Sequence, residues 1–216
     1  ESGESTGEVS LIDLFNGKFE RKGDNYLPRV ELAIYTAEEY ISPLDKKYLE
    51  FGVEFEKLGY TVVYLNTSKE DLESIKGAHK IAIPNADGAA KDRKRVLQLA
   101  SEHIGDIVDK IINILPQKYI ICTFSAGGGT GSGLSIPLMT YLAQIGKICI
   151  PVVVLPDEKL ESTKSCENSY NACAELMSIQ GLGATFLLDN SKCDKFVING
   201  RFAKELDAFI SLKNIS

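Results

Sequence analysis

Tryptophan is absent from this chain of 216 residues, methionine and histidine occur twice each, and none of the five cysteines forms a CxxC pair. His79 and His103 lie far apart with no second ligand at metal spacing, so no protein-held metal centre is expected. Cys122, Cys149, Cys166, Cys173 and Cys193 are odd in number, and no signal-peptide pattern accompanies them. That usage points to a reducing cytoplasm and to thiols that serve as small packing residues. No apolar run nears the roughly 20 residues a membrane-spanning helix needs, so no membrane association is expected. Excess positive charge is missing as well: the formal net charge is -6. Direct binding to nucleic acid has no broad electrostatic basis, and any link to DNA would pass through another protein.

What remains is the composition of a soluble globular protein, 44% hydrophobic and 25% charged, enough for one α/β domain with a substantial core. Residues 1–40 open with a stretch rich in Gly, Ser and charge and read as an extension that packs weakly, although RVELAIY (29–35) has the composition of a short strand. Residues 48–53 read as a further strand, and EFEKLG (54–59) as the last turns of a helix closed by glycine. From there apolar strands alternate with amphipathic helices. Strands are expected at 60–65 (YTVVYL), 80–83 (KIAI), 119–124 (YIICTF), 148–155 (ICIPVVVL) and 184–188 (ATFLL). Helices are expected at 68–76, with Ser68 as N-cap, and at 91–115, 134–145, 163–180 and 199–212. Such alternation predicts a mostly parallel, Rossmann-like sheet flanked by helices, with ligands bound at the carboxyl ends of its strands.

One loop stands at that edge. TFSAGGGTGSGLSIP (123–137) follows a buried strand, precedes a helix and is one-third glycine. Bare backbone lets N–H groups approach phosphate oxygens, a helix N-terminus favours the anion, and the hydroxyls of Thr130 and Ser132 add donors. The loop has no lysine, which excludes the GxxxxGK[ST] phosphate loop. It lacks the third glycine of GxGxxG, which argues against a dinucleotide enzyme. Neither Ser125 nor Ser132 has the flanking glycines of a GxSxG nucleophile elbow.

The run AGGGTGSG (126–133) resembles the signature loop of the tubulin and FtsZ superfamily of GTPases, and the order of segments is similar from residue 48 to about residue 209. VYLNTSKEDL (63–72), IPNADGAAKDR (83–93), VLPDE (154–158) and FLLDN (186–190) resemble the family's other nucleotide loops. In detail NTSKEDL, ADGAAKDRKR and LLDN are most similar to the phage and plasmid branch, TubZ-like or PhuZ-like. The resemblance implies that Gly127, Gly128, Gly129, Thr130, Gly131, Ser132 and Gly133 wrap the phosphates of GTP or GDP, which carries Mg2+ with it. Asn66 and Thr67 would line the nucleotide, and the backbone of Gly88, Ala89 and Ala90 would face the terminal phosphate. Asp157 and Glu158 are ribose candidates in competition with Glu161. Asn190 would read guanine; Phe202 would stack on the base or fill the core; Asn199 would cap the last helix or touch the base.

Two departures from the family pattern stand out. No GxGG loop precedes the first helix, where FGV runs straight into EFEKLGY, and a gap in the sequence between Val53 and Glu54 is the expectation. The family's activating segment and second domain are also not found, so residues 41–216 are expected to form the GTP-binding domain alone, and no catalytic acid can be named. The resemblance implies head-to-tail filaments in which a neighbouring subunit completes the active site, serving phage or plasmid DNA positioning with an adaptor or capsid as cargo. The alternative is a nucleotide-binding structural filament without turnover.

Overall fold

A computed structural model describes residues 18–22, 25–29, 32–37, 51–86, 88–192 and 195–211. Strands β1 (Lys18–Lys22) and β2 (Asn25–Arg29) form an antiparallel pair of their own. The other six strands build one sheet in the order β5-β4-β3-β6-β7-β8, every pair parallel. They are β3 (Leu32–Ala37), β4 (Thr61–Asn66), β5 (His79–Ala82), β6 (Tyr119–Ser125), β7 (Ile148–Leu155) and β8 (Phe186–Asp189). Between them run helices α1 (Phe51–Lys57), α2 (Lys69–Ser74), α3 (Arg93–Ile114), α4 (Thr130–Gln144) and α5 (Thr163–Leu176), with α6 (Lys195–Ser211) last.

Alternation along each strand divides two cores. Val63, Leu65, Ile120, Cys122, Cys149 and Val153 point to the face covered by α3, α4 and α5. Val62, Tyr64, Ile121, Ile150 and Val152 point to the other, where Phe51 and Phe55 of α1, Leu72 of α2 and Leu206 of α6 close over them. Both faces are apolar because parallel strands are covered on both sides. Burial, with the Cys149 sulfur alongside, pushes the Cys122 thiol up, so it stays protonated and packs as a small apolar group.

Three expectations change. Residues 32–37, read as part of an extension, form the strand that pairs with both β4 and β6 in the middle of the sheet. Residues 51–53, read as the end of a strand, begin α1, which runs without interruption through Val53 and Glu54. The expected gap at that junction is therefore not there, and the connection from β3 to α1 falls in residues 38–50, outside the described residues. Short apolar runs do not distinguish strand from buried helix, and here the stacking of Phe51 on Phe55, one helical turn apart with centroids 5.3 Å apart, decides for helix. Finally, α4 starts at Thr130 rather than at residue 134, so half of the glycine run is the first turn of a helix.

Candidate functional site

From β3 the chain proceeds to β4 on one side and from β6 to β7 on the other, so the sheet has its switch point between β3 and β6. In an open parallel sheet that is where a crevice forms outside the carboxyl ends. A cleft of about 500 Å³ lies there, lined by Asn66 and Thr67 after β4, residues 88–91 after β5, and Ser125, Gly127 and Thr130 after β6. Pro156, Glu161 and Ser165 close it after β7, and Asn190 after β8.

The glycine loop fits against its neighbours more tightly than a side chain would allow. A Cβ on Gly129 would fall 2.6 Å from the Ala89 Cβ, and one on Gly133 would fall 2.8 Å from the Val96 Cβ. These absences let α4 press its start against the 88–92 loop and α3. The Thr130 hydroxyl, buried at the cleft wall, lies 2.7 Å from that of Thr67 and 3.5 Å from Asn66 Oδ1. The Ser132 hydroxyl, expected to reach a phosphate, instead donates to the Gly128 carbonyl and is fully buried. Four helices begin around the cleft loops. Ser68, Asp92 and Ser162 cap α2, α3 and α5 by accepting from Asp71, Arg95 and Ser165 amides. At α4 Gly129 offers no side-chain cap.

The 88–92 loop carries its own strain. Gly88 (φ 87°), Ala90 (45°) and Lys91 (60°) all adopt the left-handed region, which costs side-chain-bearing residues on the order of 1–3 kcal/mol each. What holds the loop is hydrogen bonding: Gly88 N–H donates to the Thr67 carbonyl and Asp92 N–H to the Ala89 carbonyl. Gly88, expected to turn its amide to a phosphate, is thus engaged with β4.

Asn168, on α5, ties this loop to the glycine loop. Its Nδ2 lies 3.1 Å from the Lys91 carbonyl, 3.3 Å from that of Gly127 and 3.4 Å from that of Gly128. Buried Arg93 adds a second tie, donating to the Ser132 carbonyl and pairing with Glu175 of α5. Asn168→Leu keeps the branched shape and removes the donor, and is expected to lower stability by about 1–3 kcal/mol. Amide exchange should then accelerate in the 88–92 and 127–129 loops while β6 stays protected; uniform acceleration would show that Asn168 only packs.

Charge in the cleft is mixed. Glu70, Asp71 and Glu161 line it, and Lys91 is the one cationic side chain doing so among the described residues. Lys91 Nζ lies 2.9 Å from Ser165 Oγ and 3.3 Å from Glu161 Oε2. Across the cleft the Asn190 Oδ1 atom is buried and finds no hydrogen-bond partner among the described residues, a position that calls for a donor.

Of the residues singled out from sequence, Asn66, Thr67, Gly88, Ala89, Ala90, Gly127, Thr130 and Asn190 meet in this cleft, and Glu161 joins them. Gly128, Gly129, Gly131, Ser132 and Gly133 form the wall behind it. Asp157 and Glu158 do not line it: they border a neighbouring cleft with Tyr170 and Asp189. Asp157 is occupied locally, its carbonyl accepting from Leu160 and Glu161 amides and its carboxylate from Lys159 N–H. In the same cleft, hydrogen bonds from Ser191 hold the Asp189 carboxyl below the usual range. Phe202 packs between Phe51 and Phe186, ring centroids 6.1 and 5.3 Å away, on the opposite face of the sheet. Asn199 lies inside α6 rather than at its cap, because that helix begins at Lys195. Sequence reasoning missed Lys91, Ser165 and Asn168. The one available signal was the polar stripe Ser165, Asn168 and Ser169 on an otherwise amphipathic helix.

Residues 31–197 match the Tubulin/FtsZ family, GTPase domain. The chain is 32% identical over 164 residues to the tubulin-like protein TubZ of Clostridium botulinum C phage, a match covering 71% of this chain and 45% of that one. The C-terminally truncated TubZ of Clostridium botulinum phage c-st superposes with a TM-score of 0.70 at 27% identity, covering 83% of this chain and 60% of the other. The GTPγS-bound protofilament of CetZ2 from Haloferax volcanii shares the fold at a TM-score of 0.66 and 17% identity, covering 82% of this chain and 58% of that one. The chain thus spans about half the length of the relatives it matches.

Proposed function

Since the chain belongs to the tubulin/FtsZ family of GTPases, with its likeness on the TubZ side, we propose that it binds GTP in the cleft at the sheet's switch point and assembles head to tail into filaments. The observation that carries the reading is the glycine-built start of α4, met in one cleft by a second backbone loop and by an amide oxygen that finds no donor among the described residues.

A phosphate placed at α4 receives the amides of its first turn, which have no intrahelical acceptor, and the positive end of the helix dipole. Thr130 and Thr67 contribute hydroxyls there. Ala89 and Ala90 turn backbone toward the terminal phosphate from the loop beside α4. Asn190 accepts from the donor edge of guanine, filling the vacancy at its Oδ1. Glu161, and not Asp157 or Glu158, accepts from the ribose hydroxyls. Mg2+ would come with the nucleotide, since magnesium commonly binds through phosphates and water. Its chemistry would be to neutralise charge on the phosphates.

Hydrolysis requires a group that positions water, and the next subunit would supply it. Head-to-tail contacts do not close on themselves, so they generate open filaments. Phosphate contacts that favour the assembled form then vanish on hydrolysis. The filament would work in the cytoplasm, moving phage or plasmid DNA through an adaptor or capsid. No described helix is long and apolar enough to cross a membrane.

The test is the GTPase rate per subunit against protein concentration, with sedimentation in parallel. A rate that climbs steeply above a threshold, together with pelleting, is expected. A rate per subunit independent of concentration overturns the shared active site; pelleting with GTP but without turnover favours the structural filament.

A further inference from the structure

We propose that Lys91 is a direct ligand of the terminal phosphate and the residue that lets the cleft prefer a nucleoside triphosphate to a diphosphate. The inference rests on the nucleotide reading above and assigns a side chain to a site otherwise described by backbone and hydroxyls.

The argument begins with charge. The glycine loop and the α4 N-terminus offer dipoles but no formal charge, while Glu70, Asp71 and Glu161 all line the same cleft. A triphosphate entering such a site gains strongly from a cation beside the start of α4. Lys91 is that cation among the described residues, and the other basic residues of the KDRKR run are placed differently. Arg93 is buried and engaged by Ser132 and Glu175; Lys94 and Arg95 lie exposed on α3.

Geometry agrees. Lys91 follows Ala89 and Ala90, the stretch that faces the terminal phosphate. Its positive φ, with that of Ala90, turns the chain so that the side chain enters the cleft. An ammonium has three donors. Ser165 and Glu161 take two, at 2.9 and 3.3 Å, which orients the group and leaves one for a phosphate oxygen. The Asn168 bond to the Lys91 carbonyl fixes the backbone from which it reaches. A lysine serves here as a point charge, which suits a phosphate approached from one side.

The experiment measures GTP and GDP affinities of the full-length protein and its Lys91→Met and Lys91→Arg variants, by displacement of a fluorescent guanine nucleotide, with thermal melting alongside. Lys91→Met should weaken GTP by about 30-fold and GDP by less than about 3-fold, the range of one charge-assisted hydrogen bond. Lys91→Arg should recover most of the GTP preference, because charge is kept. Equal weakening of both nucleotides, or no weakening of either, overturns the proposal while leaving the nucleotide reading intact. If the unaltered protein binds neither nucleotide, that reading fails and this one with it.

Discussion

Gly129→Ala is expected to lower affinity for guanine nucleotide by roughly 5- to 150-fold while the sheet still forms. The added Cβ would stand 2.6 Å from the Ala89 Cβ and 3.1 Å from both the Asp92 nitrogen and the Lys91 carbonyl carbon. The first neighbour is a rigid methyl and the other two are backbone, so the 88–92 loop must move away from α4. Its phosphate-facing amides move with it. Overpacking of this kind costs about 1–3 kcal/mol, and a comparable loss of binding energy corresponds to the stated factor. Gly127→Ala is the control: its nearest neighbour would be the Pro156 Cβ at 3.3 Å, and a milder loss is expected. Ala89→Gly in the Gly129→Ala background removes the worst contact and should restore part of the affinity. Titration calorimetry with circular dichroism decides it; affinity within about 3-fold of the parent would show that the spacing of the two loops does not govern binding.

Phe55→Ala should be the most damaging single change to stability. Phe55 is fully buried, stacks on Phe51 and meets Tyr60 edge-on at 5.4 Å. Truncating such a ring costs about 3–5 kcal/mol, which lowers the melting temperature on the order of 10 °C for a chain of this size. Because α1 lies across the sheet from the glycine loop, nucleotide affinity measured well below the melt should hold. A drop under about 2 °C would mean that α1 adds little to the fold.

The sequence carried the sheet well where burial was continuous and poorly where it was not. Residues 60–65, 119–124 and 148–155 are rich in β-branched and aromatic residues and read as covered strands. Residues 51–53 are equally apolar, yet Phe51 stacks on Phe55 one turn further along the chain, so a helix formed. The cleft was legible in its backbone parts because glycine patterns report local conformation. Lys91 was not, since a lysine in a charged run reads as solvated until the φ values at 90 and 91 turn it inward. Nor was Asn168, whose role depends on three carbonyls from two loops meeting beside one helix. Asp157 and Glu158 were read from their nearness to Pro156, but one turn of chain, held by the Asp157 carbonyl, carries Glu161 into the cleft in their place.

The capping pattern around the cleft also sets a direction. Four helix starts would offer an anion four places to rest, and Ser68, Asp92 and Ser162 each fill one from within the chain. At the α4 start the cap position is a glycine, which has no side chain to do the same. On the proposed reading a polyphosphate would have a single address among these four, anchored at one end before any contact to the sugar or base is made. Orientation would then be settled by which helix carries no side-chain cap, and a base-reading group such as Asn190 would only have to distinguish among molecules that already lie the right way round.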